Sequence, residues 1–471
     1  MKHLPLLFLF ATCLTGNAKA SQFIDGSFVM MSSETCNGGN PQYCYLRDAA
    51  ASEKVITDLA RTGAKQFLLP SAEIDELRLL ARPIQKLGLT FYTYERWTFE
   101  NASQSGKFDC AYYTKERLEK DIAPLKAEFG QAFAGLHYKD EPPTQDIARL
   151  GALTNCVKAD PRFQDLKIFI NLLPLHANAG SYAGTQHAGA MSPAEYGVDC
   201  RAGTISNPTQ TAAMVQTYSN YAMSISDTVR PDFLSFDLYP FVSSLSKCPV
   251  ARALLMSENM SIISNLARSR NQTSVAYLQN IETIDKASTS DPFYYANFHD
   301  LRWFASWFFV FGGNGFANFI SHNTGASTNT ARKSDFYGLL SEANVPTHLA
   351  SDQQSLHGFT SQVQTALIGQ KYLGFVDNSL GVPSGAHVGW IPDSSMLVGE
   401  YSDSSSSKAT LIFARRNPRE AASTSIGLNK WWSKIEMLNF ETGVWTQVGT
   451  STNRIDVALS SFPGAIYRLT P

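Results

Sequence analysis

Residues 135–146 read GLHYKDEPPTQD, a stretch that places three charged residues directly after a short apolar run. Pro142 and Pro143 follow the charges. Because proline lacks the backbone N–H that a strand donates to its neighbour, the strand cannot continue past Glu141. The sequence therefore puts two carboxylates, Asp140 and Glu141, at the carboxyl end of a buried strand.

Seven further apolar runs accompany this one, and amphipathic helical patterns separate them. Residues 48–64 and 116–130 are examples of such helices, each with a Gly near its end. Strands that alternate with helices pair in parallel through right-handed crossovers, and eight such units close a (β/α)8 barrel. We therefore predict an α/β fold with a TIM barrel over residues 21–350. The predicted strand runs are residues 25–32, 65–71, 89–97, 133–141, 167–174, 232–241, 274–282 and 315–323.

The last part of the chain, residues 351–471, has a different pattern. A helical stretch over residues 355–374 is followed by residues 396–417, which resemble two strands joined by a serine-rich turn. More short strands with turn signals follow, and no helical pattern separates them. This pattern predicts a connecting helix and a small antiparallel β-sandwich.

The amino terminus is typical of an export signal. Lys2 and His3 precede an apolar run, and the small residues AKA at 18–20 form a cleavage site. We expect residues 1–20 to be removed near Ala20, so that the mature protein is secreted or periplasmic.

The cysteine content agrees with an oxidising compartment. Six cysteines remain after residue 20, and none has the spacing of a zinc site, so disulfide bonds are expected. Cys36 and Cys44 are predicted to close a short loop. The other four allow three pairings, of which we favour Cys110 with Cys156 and Cys200 with Cys248.

Charge and hydropathy exclude several partners. The chain has 39 basic and 41 acidic residues without a basic run, so no nucleic-acid or anionic lipid surface is predicted. After the signal, no segment reaches the roughly 20 uninterrupted apolar residues that a membrane helix needs. We predict no cofactor and no metal site, and the sequence leaves the oligomeric state open.

Polar residues cluster at the predicted carboxyl ends of the strands, which form the active-site face of a (β/α)8 barrel. Trp97 adds an indole face on which a ligand ring can stack. The candidate site residues are Glu95, Trp97, Asp140, Glu141, Asn171, Asp237, Tyr239, Gln279, Asn280, Glu282 and His322.

Several motifs together resemble clan A glycoside hydrolases, especially beta-galactosidase-like barrels. The fourth strand ends in KDEPP, the sixth ends in FDLYPF, and the aromatic helix LRWFASWFFVFGGNGF precedes the eighth. The pieces VGEYSDSSSSKATLIFARRN and FPGAIYRL are similar to the β-sandwich that such barrels often carry. The resemblance covers most of the mature chain and implies a glycosidase with a carbohydrate substrate.

The resemblance also implies roles for individual residues. Glu141 matches the acid/base, and Asp140 occupies the position where the clan usually has Asn. The clan's nucleophile is a Glu at the end of strand seven, where this chain reads AYLQNIE. Gln279 takes that place if the strand stops at Leu278, and Glu282 then lies in the loop. Asp237, at the end of strand six, is the rival second carboxylate.

Three functions follow. The first is a secreted hydrolase of poly- or oligosaccharides that uses two carboxylates, separated by ~5 to 5.5 Å if configuration is retained and roughly 6.5 to 9.5 Å if it is inverted. The second is a substrate-assisted N-acetylhexosaminidase, in which Asp140 orients the acetamido group and Glu141 is the acid. The third is an inactive barrel that binds glycans. Tyr239, Asn171 and the remaining strand-end residues are predicted to bind the substrate.

Overall fold

The computed structural model describes residues 23–32, 44–95, 108–186, 189–284, 286–287, 291–323, 336–378, 385–392, 395–403, 405, 407–459 and 464–471. Eight strands within these residues pair in parallel in the order β1-β8-β7-β6-β5-β4-β3-β2 and close into a barrel. The predicted TIM barrel is confirmed. Its strands are β1 Ser27–Met30, β2 Ala64–Leu68, β3 Thr90–Tyr94, β4 Phe133–His137, β5 Lys167–Leu172, β6 Phe233–Asp237, β7 Thr273–Gln279 and β8 Gly315–Phe319.

Several strands end earlier than their predicted runs. Strand β4 stops at His137, although the chain still follows β5: the N–H of Tyr138 donates to the carbonyl of Phe169, and the N–H of Glu141 donates to that of Asn171. Glu141 has a φ of 46°, in the left-handed region that non-glycine residues seldom adopt. The backbone therefore leaves the extended conformation at the first residue before the prolines.

Large aromatic side chains fill the barrel interior. Phe28, Tyr92, Phe169 and Tyr277 belong to one buried cluster inside the ring of strands. The barrel wall is tight at Gly135, where a β-carbon would lie 1.9 Å from the carbonyl oxygen of Lys167. Packing of this density leaves the polar strand ends as the place where a ligand can enter.

Helices cover the outside of the barrel, and their apolar faces form the main hydrophobic core with the outward residues of the strands. A π-helical segment, Thr114–Ile122, joins α3 to α4. The helices are α1 Ala49–Arg61, α2 Ile74–Lys86, α3 Cys110–Tyr113, α4 Ala123–Phe129, α5 Ile147–Ala159, α6 Ala179–Ala183, α7 Pro208–Thr228, α8 Ser243–Ser246, α9 Pro249–Ser269, α10 Phe298–Val310 and α11 His348–Leu367.

Disulfide bonds connect the outer segments. The favoured pairings are confirmed: Cys110 is bonded to Cys156, and Cys200 to Cys248. Cys44 is also disulfide-bonded, whereas its predicted partner Cys36 lies outside the described residues, as does the predicted signal segment. No helix among the described residues is both long and apolar enough to cross a membrane.

The carboxyl-terminal part is an antiparallel domain, as predicted. Its sheet has the order β9-β11-β12-β15-β13-β10, and β14 pairs with β13 in a long hairpin. The carboxylate of Glu400 on β11 accepts hydrogen bonds from the N–H groups of His387 and Val388, so β10 lies close to β11 although three strands separate them in the sheet order. The strands are β9 Lys371–Val376, β10 Val388–Trp390, β11 Met396–Ser402, β12 Ala409–Arg415, β13 Ala422–Asn439, β14 Val444–Leu459 and β15 Gly464–Thr470.

Helix α10 joins the barrel to this domain. The indole N–H groups of Trp303 and Trp307 both donate to the carbonyl oxygen of Arg415, at 2.7 and 2.6 Å. Both tryptophans are fully buried. The aromatic helix before strand eight is therefore an inter-domain core, and its indoles are not available to stack on a sugar.

Candidate active site

Three carboxyl groups meet at the carboxyl-terminal mouth of the barrel. Asp140 and Glu141 follow β4, and Asp237 is the last residue of β6. The side chains of Glu141 and Asp237 are hydrogen-bonded to each other. Asp140 lies close enough to influence the ionisation of both. Parallel strands bring these residues together because all their carboxyl ends lie on one face of the barrel.

The carboxyl pair holds a proton. Burial raises the pKa of Glu141, and the neighbouring charges of Asp237 and Asp140 raise it further. Burial and the charge of Asp140 also raise the pKa of Asp237, although the hydrogen bonds that its carboxylate accepts act in the opposite direction. Because burial and two neighbouring carboxylates raise the pKa of Glu141 more than that of Asp237, Glu141 is the last of the pair to lose its proton, and Asp237 ionises before it.

Asn171 on β5 holds the cluster together. Its side-chain amide donates to Oδ1 of Asp140 at 2.8 Å, and its proximity to Asp237 lowers the pKa of that carboxyl. The hydroxyl of Ser235 donates to Oδ1 of Asn171 at 3.0 Å, which fixes the orientation of the amide. One buried amide therefore orients the carboxylate of Asp140 beside Glu141.

Two tyrosines border the carboxyl groups. Burial raises the pKa of Tyr239, and the charges of Asp237, Asp140 and Glu141 add to the shift. Its ring contacts Phe293 with 5.5 Å between centroids. Tyr277 on β7 is the register partner of Asp237 on β6, so the two side chains lie side by side.

The end of strand seven carries no second carboxylate. Strand β7 extends through Gln279, whose side chain accepts from the N–H of Phe241 at 2.9 Å and donates to the carbonyls of Phe241 and Tyr294. All of its hydrogen-bonding atoms are engaged by these two loops. Gln279 occupies the position where the resemblance implies a nucleophile. Its side chain holds the backbone of the loops that contain Phe241 and Tyr294.

Glu282 lies beyond β7 in a two-residue ladder with residues 336 and 337. Its carboxylate is bonded by the ammonium of Lys286 at 2.7 Å and by Nε2 of His348 at 3.0 Å. The carboxylate of Glu282 is therefore bound by surface side chains. Asp237, and not Glu282, is the carboxylate that contacts Glu141.

Three other candidates are engaged in structural contacts. Glu95 is fully buried and forms an ion pair of 2.8 Å with Arg117. Asn280 donates to Gln353 on α11 at 3.2 Å. The buried ring of His322 is hydrogen-bonded at both nitrogens, by Ser321 and Asn344, and burial lowers its pKa to about 4. Trp97 lies outside the described residues.

Sequence reasoning missed two residues at the site. The hydroxyl of Tyr221 on α7 donates to the carbonyl of Pro142 at 2.8 Å and so supports the loop that carries Glu141. Tyr277 was missed because it lies within an apolar strand and not among the polar residues at a strand end. The alternation of SVAYLQ directs Val275, Tyr277 and Gln279 to one face, and that signal identifies Tyr277 as inward once the barrel is assumed.

Among the described residues, no group of three His, Cys, Asp or Glu side chains could hold a metal ion. A buried carboxyl that retains its proton beside an ionised carboxylate can protonate a leaving group and stabilise positive charge on a substrate.

The comparisons with known proteins concern the fold. No family model matches the chain, and no curated protein matches it. It is similar to the solved structure of a family 51 alpha-L-arabinofuranosidase from Bifidobacterium longum, with 10% identity over 96% of this chain and 97% of that chain and a TM-score of 0.47.

Two further similar structures are a thermostable family 51 alpha-L-arabinofuranosidase from Thermotoga petrophila and a family 2 beta-galacturonidase from Eisenbergiella tayi. The first has 11% identity, 96% and 97% coverage and a TM-score of 0.38. The second has 9% identity, covers 72% of this chain and 52% of that chain, and has a TM-score of 0.43. Such low values do not extend the activities in these names to this chain.

Proposed function

We propose that the protein is a glycoside hydrolase that cleaves O-glycosidic bonds of a poly- or oligosaccharide, with Glu141 as the acid/base and Asp237 as the second carboxylate. The barrel, residues 21–350, is the proposed catalytic domain. The observation that carries the proposal is the hydrogen-bonded carboxyl pair at the mouth of the barrel. The disulfide bonds support a secreted or periplasmic location.

Glu141 has the properties of a general acid. A glycosidic oxygen is a poor leaving group until it is protonated, and burial together with the nearby carboxylates keeps the proton on Glu141 at neutral pH. When the glycosidic bond breaks, this proton passes to the leaving oxygen. Glu141 then becomes a carboxylate that can accept a proton from the incoming water.

Asp237 fits the role of nucleophile. Its buried Oδ1 has no hydrogen-bond partner among the described residues, and its carboxyl group lies beside that of Glu141. In the proposed reaction, Oδ1 forms a bond to the anomeric carbon as the leaving oxygen departs with the proton of Glu141. Water then breaks the glycosyl ester while Glu141 accepts a proton from it.

The separation of the pair supports retention of configuration. Carboxyl groups in contact with each other are nearer to the ~5 to 5.5 Å separation of retaining enzymes than to the roughly 6.5 to 9.5 Å of inverting ones. Substrate must therefore break the Glu141–Asp237 hydrogen bond and enter between the two groups. The two carboxyl groups need to move apart only slightly to reach the retaining distance. They would have to move much further apart to reach the inverting distance.

Azide rescue tests these roles. Purified protein is first tested against a panel of aryl glycosides and oligosaccharides to find a substrate. Glu141→Ala should then regain activity with azide and form a glycosyl azide of the substrate's configuration, because azide attacks the glycosyl-enzyme intermediate. Asp237→Ala with azide should give the opposite configuration, since azide attacks the substrate directly. If Asp237→Ala retains wild-type turnover without azide, Asp237 is not the nucleophile.

A substrate-assisted N-acetylhexosaminidase is the second candidate, and the contact between Asn171 and Asp140 favours it. This contact orients a carboxylate directly beside Glu141, as the acetamido group of such a substrate requires. No carboxylate at the end of β7 is needed in that mechanism. A thiazoline mimic of the cyclised substrate should then inhibit, Asp140→Asn should lower kcat on N-acetyl sugars, and azide should not rescue Asp237→Ala.

A further inference from the structure

Tyr277 lies beside the proposed nucleophile. Asp237 and Tyr277 are register partners on neighbouring parallel strands, so their α-carbons are about one strand spacing apart, roughly 4.8 Å. Tyr277 belongs to the cluster of side chains that fills the barrel interior. Its side chain therefore points into the barrel from the same level as the carboxylate of Asp237.

The hydroxyl of Tyr277 is buried and has no hydrogen-bond partner among the described residues. The side chain as a whole is only 1% exposed. Burial and the charges of Asp140 and Asp237 raise the pKa of this hydroxyl, so it remains a donor at every physiological pH. A buried donor without a partner lowers stability, because its hydration is lost and not replaced.

Packing does not explain the hydroxyl. The ring of Tyr277 contacts Phe169 and Phe319 at centroid distances of 6.4 and 6.5 Å, and a phenylalanine would make both contacts equally well. Only the hydroxyl distinguishes tyrosine from phenylalanine at this position. Tyr277 is the register partner of Asp237, and the buried Oδ1 of Asp237 also has no hydrogen-bond partner among the described residues.

We infer that Tyr277 determines sugar specificity, by donating a hydrogen bond from its hydroxyl to the substituent on the ring carbon adjacent to the anomeric carbon. The inference rests on the proposed function. When Oδ1 of Asp237 approaches the anomeric carbon, a donor beside Asp237 reaches the neighbouring substituent. That substituent must be an acceptor, either a hydroxyl or an acetamido group, and a deoxy sugar lacks it.

Tyr277→Phe tests the inference on matched substrates. The wild type and the variant are assayed on an aryl glycoside with a 2-hydroxyl, on its 2-acetamido counterpart and on the 2-deoxy analogue. We expect kcat/KM of the variant to fall about tenfold or more on the natural substituent, and to change less than about twofold on the 2-deoxy sugar. The substituent that shows the loss identifies the natural one.

Tyr196→Phe is the matched control. The hydroxyl of Tyr196 is also buried without a partner among the described residues, and burial alone raises its pKa, without a contribution from the site carboxylates. This variant should show no dependence on the 2-substituent. The melting temperature of Tyr277→Phe should be unchanged or higher, because a buried hydroxyl without a partner is removed.

The outcomes separate the inference from the proposed function. Equal losses on the hydroxyl, acetamido and deoxy substrates, or a lower melting temperature with no dependence on the substituent, would overturn the role of Tyr277 and leave the hydrolase intact. If the wild type cleaves no glycoside in the panel, the proposed function is wrong and this inference is wrong with it.

Discussion

Glu95 and Glu141 follow neighbouring strands of the same barrel, but their surroundings are opposite. Glu95 is fully buried beside the guanidinium of Arg117, and the hydroxyl of Tyr113 donates to its carboxylate at 3.3 Å. Glu141 is half-buried at the mouth and pairs with the carboxyl of Asp237. One glutamate is matched with a cation and the other with a second acid.

This difference separates a structural carboxylate from a reactive one. The buried carboxylate of Glu95 is matched by the guanidinium of Arg117, and its contacts stabilise the fold. A carboxyl opposite another carboxylate keeps its proton, because two adjacent negative charges cannot both be stable in a site of low polarity. Position at a strand end alone does not distinguish the two.

The largest expected effect is the loss of catalysis in Glu141→Gln. The substitution keeps the shape and removes the transferable proton, so kcat on substrates with poor leaving groups should fall about 10²- to 10⁴-fold. Aryl glycosides with activated leaving groups should lose much less in the glycosylation step. Steady-state kinetics on both substrate types measures the difference.

Glu95→Gln is the matched control on the neighbouring strand. It should lower the melting temperature, because the charge of Arg117 loses its buried partner, and it should show no dependence on the leaving group. If Glu141→Gln is destabilised and loses activity equally on both substrate types, Glu141 is a structural carboxylate like Glu95.

The next effect concerns the stability that depends on Arg117. Arg117→Met leaves the carboxylate of Glu95 buried without its cation, and the free energy of unfolding should fall by about 3 to 5 kcal/mol. The double variant Glu95→Gln/Arg117→Met removes both charges and should recover part of this loss. Denaturant unfolding measures all three proteins. A single variant as stable as the wild type would show that Glu95 does not depend on its cation.

Local patterns in the sequence were sufficient to predict the barrel. Each strand is a short apolar run bounded by polar residues, and each is followed by a helix, so period and order alone specify the closed parallel sheet. Pro142 and Pro143 also placed Glu141 at the barrel mouth, because a missing N–H is a local property. The observed strand ends differ from the predicted ones where the chain leaves the extended conformation but still hydrogen-bonds to the neighbouring strand. Glu141, whose N–H donates to Asn171 on β5, is an example.

The partners of the strand-end residues could not be predicted in the same way. Arg117 is 22 residues from Glu95 along the chain, and the backbone that engages Gln279 lies in two separate loops. These contacts depend on how loops cross the barrel mouth, which no local periodicity encodes. Glu282 is a candidate nucleophile because the resemblance implies a Glu at the end of strand seven and Glu282 is the glutamate that follows β7 in the sequence.

Glu258 extends the comparison to a carboxyl group whose pKa is shifted by burial, and not mainly by a neighbouring cation or acid. It is buried on α9, and burial raises its pKa to about 8. Since the unfolded pKa is near 4.5, the folded state binds the extra proton, so wild-type stability is complete below that pH and falls as the pH rises through about 8. Glu258→Gln should match the wild type at low pH and exceed it by about 2 to 4 kcal/mol at alkaline pH.

Urea unfolding of both proteins across this pH range measures the difference. A constant gap between the two curves would mean that Glu258 does not change its ionisation on folding. In that case burial alone would not hold a proton in this protein, and the raised pKa of Glu141 would depend mainly on its carboxylate neighbours.

The smallest effect is expected for Glu282→Gln. The carboxylate of Glu282 contacts the side chains of Lys286 and His348 near the surface. Surface ion pairs contribute about 0 to 1 kcal/mol to stability. If Asp237 is the second carboxylate, kcat/KM should change less than about twofold, and azide should produce no glycosyl azide with Glu282→Ala. The same assays on Asp237→Asn provide the contrast, because that variant should lose most of its turnover.

A loss of activity in Glu282→Gln as large as that in Glu141→Gln would require the loop after β7 to bring Glu282 into the site when substrate binds. The nucleophile would then belong to strand seven, and Asp237 would serve only to raise the pKa of Glu141.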